Sequence, residues 1–279
     1  MSLPIAAVAQ LCATSTIASN RQICTDLIRR AAAQGAKMIF MPEASDFIAE
    51  DKQATVALTT DLDHSTFIHD IQKAAKDNAI WVSVGVHEKS PILDHIYNTH
   101  VVIDSRGDIV STYRKLHLFD VDIKDGPRLM ESDTTLAGTK IHQPIETPLG
   151  KLGLQTCYDV RFAELAISQR RKGADILTYP SAFTMKTGLA HWEPLLRARA
   201  IETQTYVIAS AQRGHHNAKR QSYGHAMIVD PWGTIVAACG DSEEPSLAFA
   251  PVDLSFLNKI RLEMPVMNHR RYDVYPELK

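Results

Sequence analysis

Cys157 lies where an apolar, strand-like run gives way to a helix-like stretch. The apolar run begins at Leu152, and the helix-like stretch covers residues 164–172. A thiol at such a turn faces the free N–H groups and the positive end of the helix, which favour a thiolate. Because the thiolate is the nucleophilic form of cysteine, this position predicts covalent catalysis. The alternative is a small buried hydrophobic residue, which is what most free cysteines are.

Glu43 follows a second apolar run and a proline, in the segment 40–45. A carboxylate at the carboxyl end of a buried strand lies at the sheet edge where α/β proteins bind ligands. Partial burial would raise its pKa and suit it to proton transfer. A helix-capping or solvated glutamate is the alternative.

Lys115 ends a strand-like run in an apolar and aromatic segment. A buried lysine needs an anionic partner, which Glu43 and a Cys157 thiolate could supply. Glu131 could orient Lys115 or assist proton movement, and it could equally cap a following turn. His117 could be a competing base, although a single histidine in such a run is more often structural.

The elements that must position these residues alternate between strands and helices. Short apolar runs predict strands over residues 4–12, 38–41, 80–86, 97–103 and 109–113. Apolar residues at helical spacing predict helices around residues 23–31 and 67–75. Since proline is tolerated only in the first turn of a helix, Pro194 predicts a helix that begins near His191.

The second half of the chain repeats the pattern of the first. Residues 35–42 resemble residues 173–180, and the strand–turn–strand unit 97–110 resembles the unit 223–236. The similarity indicates an internal duplication, although two such units can also resemble each other by chance. Two halves that each carry helices on one side of a sheet would bury their sheet faces together. We therefore expect an α/β fold, a four-layer α-β-β-α sandwich with two similar halves.

No linker or low-complexity segment interrupts the sequence, so we expect a single domain over residues 1–279. The C-terminal segment, about residues 254–279, is too apolar for a free tail. We expect this segment to pack on the body of the protein or on a partner subunit.

The composition excludes several classes of function. A net charge of −2 gives no reason to expect nucleic acid as a partner. No apolar run approaches 18 residues, so no membrane span is expected. The N-terminal residues are interpreted as the first strand rather than as a signal or transit peptide.

The four cysteines are far apart and form no C-x-x-C pair, which argues against a zinc site and against a disulfide framework. They favour a reducing compartment. We expect a cytoplasmic protein, with a mitochondrial pool left open. The pair His215-His216 is interpreted as an exposed loop, and a metal site there would need further ligands.

Three segments together resemble the nitrilase superfamily of carbon–nitrogen hydrolases, over essentially the whole chain. The segments are Met-Pro-Glu-Ala around Glu43, Tyr-Arg-Lys-Leu-His around Lys115, and Thr-Cys-Tyr-Asp-Val-Arg-Phe around Cys157. The resemblance implies a Glu–Lys–Cys triad in which Glu43 is the acid and base, Lys115 stabilises the oxyanion or donates a proton, and Cys157 is the nucleophile. It also implies that Glu131 is the supporting second glutamate and that the backbone of Tyr158 is an oxyanion donor. The implied fold is the same four-layer sandwich.

The resemblance further implies a small-molecule amide substrate, no metal and no organic cofactor, and assembly as a homodimer or higher homo-oligomer. Within the superfamily, residues 117–122, 180–184, 188–203 and 222–225 look most like the deaminated glutathione amidase branch. The ω-amidases share much of this pattern and stay open as the alternative; a non-catalytic interaction protein is a more distant one. Leu189 departs from that pattern, because proline is expected there.

A substrate of the deaminated glutathione type carries two carboxylates, for which a bidentate arginine is the apt partner. Arg161 is the first candidate because it lies four residues after Cys157. Phe183 and Thr184 are expected to line the pocket. Weaker candidates for the same role follow: Lys186, Arg213 and His216.

Overall fold

The computed structural model of the chain describes residues 2–122, 124, 128–242 and 244–275. The strands within these residues are β1 Ile5–Leu11, β2 Ala36–Phe40, β3 Trp81–Lys89, β4 Ile96–Ile103, β5 Ile109–Arg114, β6 Asp120–Asp122, β7 Arg128–Met130, β8 Ile145–Thr147, β9 Gly150–Leu154, β10 Ile176–Thr178, β11 Tyr206–Ala209, β12 Ala211–His215, β13 Gln221–Tyr223, β14 Met227–Val229, β15 Ile235–Ala238 and β16 Ser246–Pro251. The α-helices are α1 Ile17–Ala33, α2 Lys52–Leu58, α3 Thr66–Asp77, α4 Ala163–Arg171, α5 Met185–Thr203 and α6 Leu254–Glu263. None of these helices combines the length and the apolar character needed to span a bilayer.

Two sheets contain most of the strands. The larger has the order β13-β12-β1-β2-β3-β4-β5, with β16 paired to β1, and the smaller has the order β15-β14-β11-β10-β9-β8. Within the larger sheet, β1, β2 and β3 are parallel, and β4 and β5 follow antiparallel. Within the smaller sheet, β9, β10 and β11 are parallel, and β14 and β15 follow antiparallel. The two halves therefore share one topology, as the predicted duplication requires.

The layers follow from the burial of both faces of the sheets. Alternate residues of β1 belong to two different core clusters: Val8 packs with residues of the smaller sheet, and Ala7 packs with residues of α1 and α3. A strand buried on both faces is almost continuously apolar, as β1 is apart from Gln10. Helix α5 covers the smaller sheet through Trp192 and Leu196. The result is the predicted α-β-β-α sandwich.

Helix α5 does not begin where the sequence suggested. It begins at Met185, so the expected start near His191 is wrong and Pro194 lies inside the helix. The side chain of Thr184 caps the helix by accepting a hydrogen bond from the N–H of Thr187. Pro194 has no N–H, so the carbonyl of Ala190 lacks its helical donor. Ala190 is exposed, so water can replace the lost hydrogen bond.

The C-terminal segment packs on the body of the protein where it is described. The guanidinium of Arg261 pairs with Asp175 at 2.9 Å and donates to the carbonyl of Gln204 at 3.0 Å. The side chain of Gln204 in turn donates to the carbonyl of Met264 at 2.7 Å. Residues 276–279 of the expected packing segment lie outside the described residues.

Candidate active site

Glu43 lies three residues beyond β2, on a backbone held closely against β3. The N–H of Gly85 donates to the carbonyl of Pro42 at 3.0 Å, and the carbonyl of Gly85 accepts from Ser45 at 2.8 Å. A Cβ atom at Gly85 would come within 2.6 Å of the Glu43 Cα atom. Because glycine has no Cβ atom, the backbone at Glu43 can lie close against β3. This close contact determines how deeply the Glu43 side chain is buried.

Lys115 follows directly on β5 and is fixed through its main chain on both sides. Its N–H donates to the carbonyl of Asn98 at 2.9 Å, which extends the pairing between β4 and β5 by one step. Its carbonyl accepts from the N–H of Gly138 at 2.8 Å. These bonds direct a long, flexible side chain into the interior, where it is only 2% exposed.

Cys157 begins a 3-10 helix, Cys157–Arg161, three residues beyond the end of β9. Its φ of +48° lies in the left-handed region, which a non-glycine residue seldom adopts. The N–H of the preceding residue, Thr156, donates to the Asp159 carboxylate at 2.9 Å. The helix that begins at this turn is therefore a short 3-10 helix, and α4 follows only at Ala163.

These three side chains meet in one buried site with Glu131. The Lys115 ammonium lies 3.1 Å from the Glu43 carboxylate and 2.8 Å from the Glu131 carboxylate. The Glu43 carboxylate and the N–H of Ala182 lie near enough to the Cys157 thiol to act on its pKa. A candidate nucleophile thus lies beside a candidate base that is itself bound by an ammonium group.

The charges of the site shift the pKa values of Glu43 and Lys115. Burial raises the pKa of Glu43, but the Lys115 ammonium and hydrogen bonds from Cys157, Asn98 and Lys115 outweigh it and hold the pKa below its ordinary value. This corrects the expectation of a raised pKa at Glu43. Burial lowers the pKa of Lys115, but the carboxylates of Glu131 and Glu43 outweigh burial and raise the pKa well above its ordinary value. Glu43 is therefore an ionised base beside a permanently charged ammonium.

The resting form of Cys157 is the neutral thiol. Burial and the neighbouring Glu43 charge raise its pKa, and the opposing effects of the Lys115 ammonium and the Ala182 N–H are smaller. The expectation that the turn alone would favour a resting thiolate is therefore wrong, because burial and the Glu43 charge dominate. The neighbouring Glu43 carboxylate is a base that can take the thiol proton during attack.

Two residues that the sequence did not single out organise the site. The side-chain amide of Asn98 donates to both Glu43 and Glu131. The Asp159 carboxylate accepts hydrogen bonds from the hydroxyl of Tyr113 at 2.7 Å and the N–H of His117 at 3.1 Å, besides that of Thr156. The Thr156–Asp159 bond is a local capping pattern. The other contacts join distant segments, so they have no local sequence signal.

The predicted substrate-binding residues lie in the 3-10 helix Cys157–Arg161 and just before α5. Tyr158 is its second residue, where a backbone N–H has no partner inside the helix. The Arg161 guanidinium lies 5.7 Å from the ring centroid of Tyr158 and 5.8 Å from that of Phe183. It donates to the imidazole of His191 at 3.2 Å, and no carboxylate of a described residue pairs with it. Thr184 caps α5, as described above, and is half-buried.

The weaker candidates are engaged elsewhere. Arg213 pairs with Asp241 at 3.2 Å, and Lys186 is exposed on α5. His216 is buried rather than exposed, because its ring bonds to the carbonyl of Ala13 and the hydroxyl of Ser222, both at 2.8 Å. The interpretation of the pair as exposed is therefore wrong for His216, whereas His215, at the end of β12, is exposed.

The rings of His117, the candidate competing base, and of His225 contact other residues. The ring of His117 lies 2.7 Å from Asp159, and His225 stacks on Tyr223 with ring centroids 4.2 Å apart. Across the described residues, no group of three or more His, Cys, Asp or Glu side chains is placed to hold a metal ion.

Comparison with known proteins agrees with this geometry. Residues 5–262 match the carbon–nitrogen hydrolase family. The chain is 51% identical over 278 residues to the probable hydrolase nit2 of Schizosaccharomyces pombe, an alignment that covers 99% of this chain and 100% of that protein. It is 48% identical over 280 residues to the human deaminated glutathione amidase, covering 99% of this chain and 85% of the relative.

Solved structures show the same architecture. The NitFhit protein of Caenorhabditis elegans aligns with a TM-score of 0.93 at 45% identity, over 100% of this chain and 67% of that chain. Nit3 of Saccharomyces cerevisiae, a nitrilase-superfamily member, aligns with a TM-score of 0.85 at 31% identity, over 97% of both chains.

Proposed function

Because this chain belongs to the carbon–nitrogen hydrolase family, and is a hydrolase of amide C–N bonds, we propose that it hydrolyses deaminated glutathione to 2-oxoglutarate and cysteinylglycine. The observation that carries the proposal is the interaction of the Cys157 thiol with a Glu43 carboxylate that also binds the Lys115 ammonium at 3.1 Å. The substrate assignment is supported by relatives of that name at 48% identity over nearly the whole chain.

In the first half of the reaction, Glu43 accepts the thiol proton while the Cys157 sulfur attacks the amide carbon. Concerted transfer fits a site in which the thiol is neutral at rest and the carboxylate is ionised. The new C–S bond forms as the carbonyl π electrons move onto oxygen, which gives a tetrahedral oxyanion.

The oxyanion is stabilised by the Lys115 ammonium and by the backbone N–H of Tyr158. A buried cation and a free helical N–H are donors whose positions are fixed before the charge develops. Removing one donor of this kind typically costs about 3 kcal/mol of activation free energy. Glu131 holds Lys115 through two contacts, at 2.8 and 3.1 Å.

In the second half, the oxyanion collapses, the C–N bond breaks, and Glu43 gives its proton to the departing amine of cysteinylglycine. A thioester between Cys157 and the 2-oxoglutarate unit remains. Glu43 then takes a proton from water, and the resulting attack on the thioester carbon releases 2-oxoglutarate and restores the thiol.

Arg161 is the proposed partner of a substrate carboxylate. Its guanidinium stands beside the rings of Tyr158 and Phe183, and it has no carboxylate partner among the described residues. A guanidinium binds a carboxylate through two parallel hydrogen bonds. We expect Phe183 and Thr184, which immediately precede α5, to line the same binding site.

The test is a substrate comparison with identified products. We expect kcat/KM for deaminated glutathione to exceed that for α-ketoglutaramate, with 2-oxoglutarate released from both. A ratio that favours α-ketoglutaramate would assign the protein to the ω-amidases instead. Failure to hydrolyse either compound would overturn the proposed substrate class.

We also propose that the protein assembles as a homodimer and resides in the cytoplasm. Large apolar side chains that a partner subunit could cover, such as Trp232, Leu262 and Val274, are 59%, 81% and 70% exposed. Cys24, Cys157 and Cys239 form no disulfide, which suits a reducing compartment. Light scattering and cell fractionation test the two statements, and a monomer or a non-cytoplasmic pool alone would contradict them.

A further inference from the structure

Asn98 is the one described side chain that bonds to both carboxylates of the site without carrying a charge. Its amide nitrogen lies 2.6 Å from Glu43 Oε1 and 3.2 Å from Glu131 Oε1. Its main-chain carbonyl accepts the hydrogen bond from Lys115 N at 2.9 Å. A single residue on β4 thus contacts Glu43, Glu131 and Lys115.

The direction of the Asn98 amide is fixed by its surroundings. Two carboxylate oxygens can only accept hydrogen bonds, so the NH₂ group must face them and the carbonyl oxygen must point away. That oxygen, Oδ1, is buried and has no hydrogen-bond partner among the described residues. An unsatisfied buried acceptor costs free energy. The Asn98 side chain leaves its Oδ1 without a hydrogen bond and directs both of its N–H donors at the carboxylates.

The charge balance of the site explains why a neutral donor is needed there. Two carboxylates share one ammonium group, and like charges this close would drive one carboxyl toward its protonated form. The two N–H donors of Asn98 stabilise the ionised forms without adding a charge. A protonated Glu43 could not accept the Cys157 proton.

We propose that Asn98 is a positioning residue that keeps Glu43 ionised and directed at Cys157. Burial raises the pKa of Glu43, and the hydrogen bond from Asn98 is among the causes that lower it, after the Lys115 ammonium and the Cys157 side chain. The proposal rests on the proposed role of Glu43 as the base, and it does not depend on which amide is the substrate.

The test is the pH dependence of Cys157 alkylation by iodoacetamide in Asn98→Ala, Asn98→Ser and the parent protein. The alkylated peptide is identified by mass spectrometry, so that the other cysteines do not contribute. We expect the acidic limb of the rate profile to move upward by about one pH unit in both variants, the scale on which hydrogen bonds shift carboxyl pKa values. The acidic limb of kcat/KM should move in parallel.

Thr99→Val is the matched control, since Thr99 is the next residue on β4 and its hydroxyl bonds to Glu88 at 2.6 Å instead. We expect its acidic limb to coincide with that of the parent. Asn98 variants that lose activity equally at all pH values, with an unmoved limb, would overturn the proposal and leave a purely structural role. Circular dichroism identifies any variant that does not fold, and Asn98→Asp then serves as the further variant. Its third carboxylate should also move the acidic limb to higher pH. An unmoved limb in Asn98→Asp would overturn the proposal as well.

The alkylation readout separates this proposal from the substrate assignment. A parent protein that fails to hydrolyse deaminated glutathione, while the Asn98 variants still shift the alkylation profile, would overturn only the substrate. An unmoved limb in an active parent and its variants would overturn only the role of Asn98.

Discussion

The hydroxyl of Tyr113 donates a 2.7 Å hydrogen bond to the buried carboxylate of Asp159, and this contact joins the two segments that carry Lys115 and Cys157. Tyr113 lies two residues before Lys115, and Asp159 lies two residues after Cys157. The distance between the candidate nucleophile and the ammonium group is therefore set by a bond that includes neither.

Asp159→Asn should lower both stability and kcat. The amide would turn an NH₂ group toward N–H donors that need an acceptor, which typically costs about 1–3 kcal/mol for an unsatisfied buried group. Urea unfolding and steady-state kinetics measure the two effects. Tyr113→Phe should show a smaller loss of the same kind, since three donors to Asp159 remain.

Tyr97→Phe is the control for the tyrosine change, because the Tyr97 hydroxyl makes no hydrogen bond to a described residue. Wild-type kcat and stability in Asp159→Asn would show that this carboxylate does not couple the two segments.

Gly85→Ala should displace Glu43. The added methyl would lie 2.6 Å from the Glu43 Cα atom, so the backbone must move, and overpacking of this kind costs about 1–3 kcal/mol. A shift of about 1 Å at a catalytic group can lower kcat/KM by about a hundredfold. Gly240→Ala is the matched control, since its Cβ atom would meet nothing within 4 Å. Full activity in Gly85→Ala would mean that the close approach does not set the position of Glu43.

Lys115→Met should destabilise the protein most near neutral pH. Removing the ammonium leaves two carboxylates uncompensated, and breaking a buried ion pair typically costs about 3–5 kcal/mol. Protonation of the carboxylates relieves this, so the difference from the parent should narrow as the pH falls below about 5. Lys37→Met, on an exposed position of β2, should show no such dependence.

The pKa shifts of Glu43 and Lys115 determine how the stability of the parent protein changes with pH. The folded pKa of Glu43 lies below its ordinary value of 4.5, so its contribution to stability is present above 4.5 and lost as the pH falls through the lowered pKa. The folded pKa of Lys115 lies above 10.5, so its contribution is present below 10.5 and lost only as the pH rises through the raised value. Unfolding free energies measured from acid to alkaline pH test both limits, and a gain in stability on acidification would contradict them.

The sequence predicted the fold and the three central residues because their signals are local. A buried strand followed by Pro42 and Glu43 marks a sheet edge, and apolar alternation places strands without any knowledge of their partners. The repeated pattern of residues 35–42 and 173–180, and of 97–110 and 223–236, predicts two similar halves that each contain a sheet. By contrast, Asn98 and Asp159 act across pairings of distant segments, and nothing in their own neighbourhoods indicates this.

The errors of the sequence interpretation have the same origin. A positive helix end favours a thiolate, but burial and the Glu43 charge act more strongly on Cys157. Pro194 favours a helix start, but exposure of the freed carbonyl lets α5 continue through it. His216 follows a polar histidine in sequence, yet it packs against the end of β1. Each outcome depends on tertiary surroundings that single-residue preferences do not contain.

Arg161→Ala should weaken the binding of substrates that carry a carboxylate. Losing charge-assisted hydrogen bonds should lower kcat/KM for deaminated glutathione about tenfold to a hundredfold. A neutral analogue in which the carboxylates are amidated should be affected far less. Arg197→Ala, which removes an exposed pair with Glu193 on α5, is the control. Equal losses for the charged and neutral substrates would exclude carboxylate recognition by Arg161.

The Cys157 sulfur attacks the amide carbon and carries the acyl group in the proposed reaction. Rapid-quench mass spectrometry of the protein with deaminated glutathione measures this directly. We expect a transient 2-oxoglutarate thioester on the peptide that contains Cys157, together with loss of turnover in Cys157→Ala. Hydrolysis by Cys157→Ala at the parent rate, with no acyl group on that peptide in the parent, would contradict the proposed reaction.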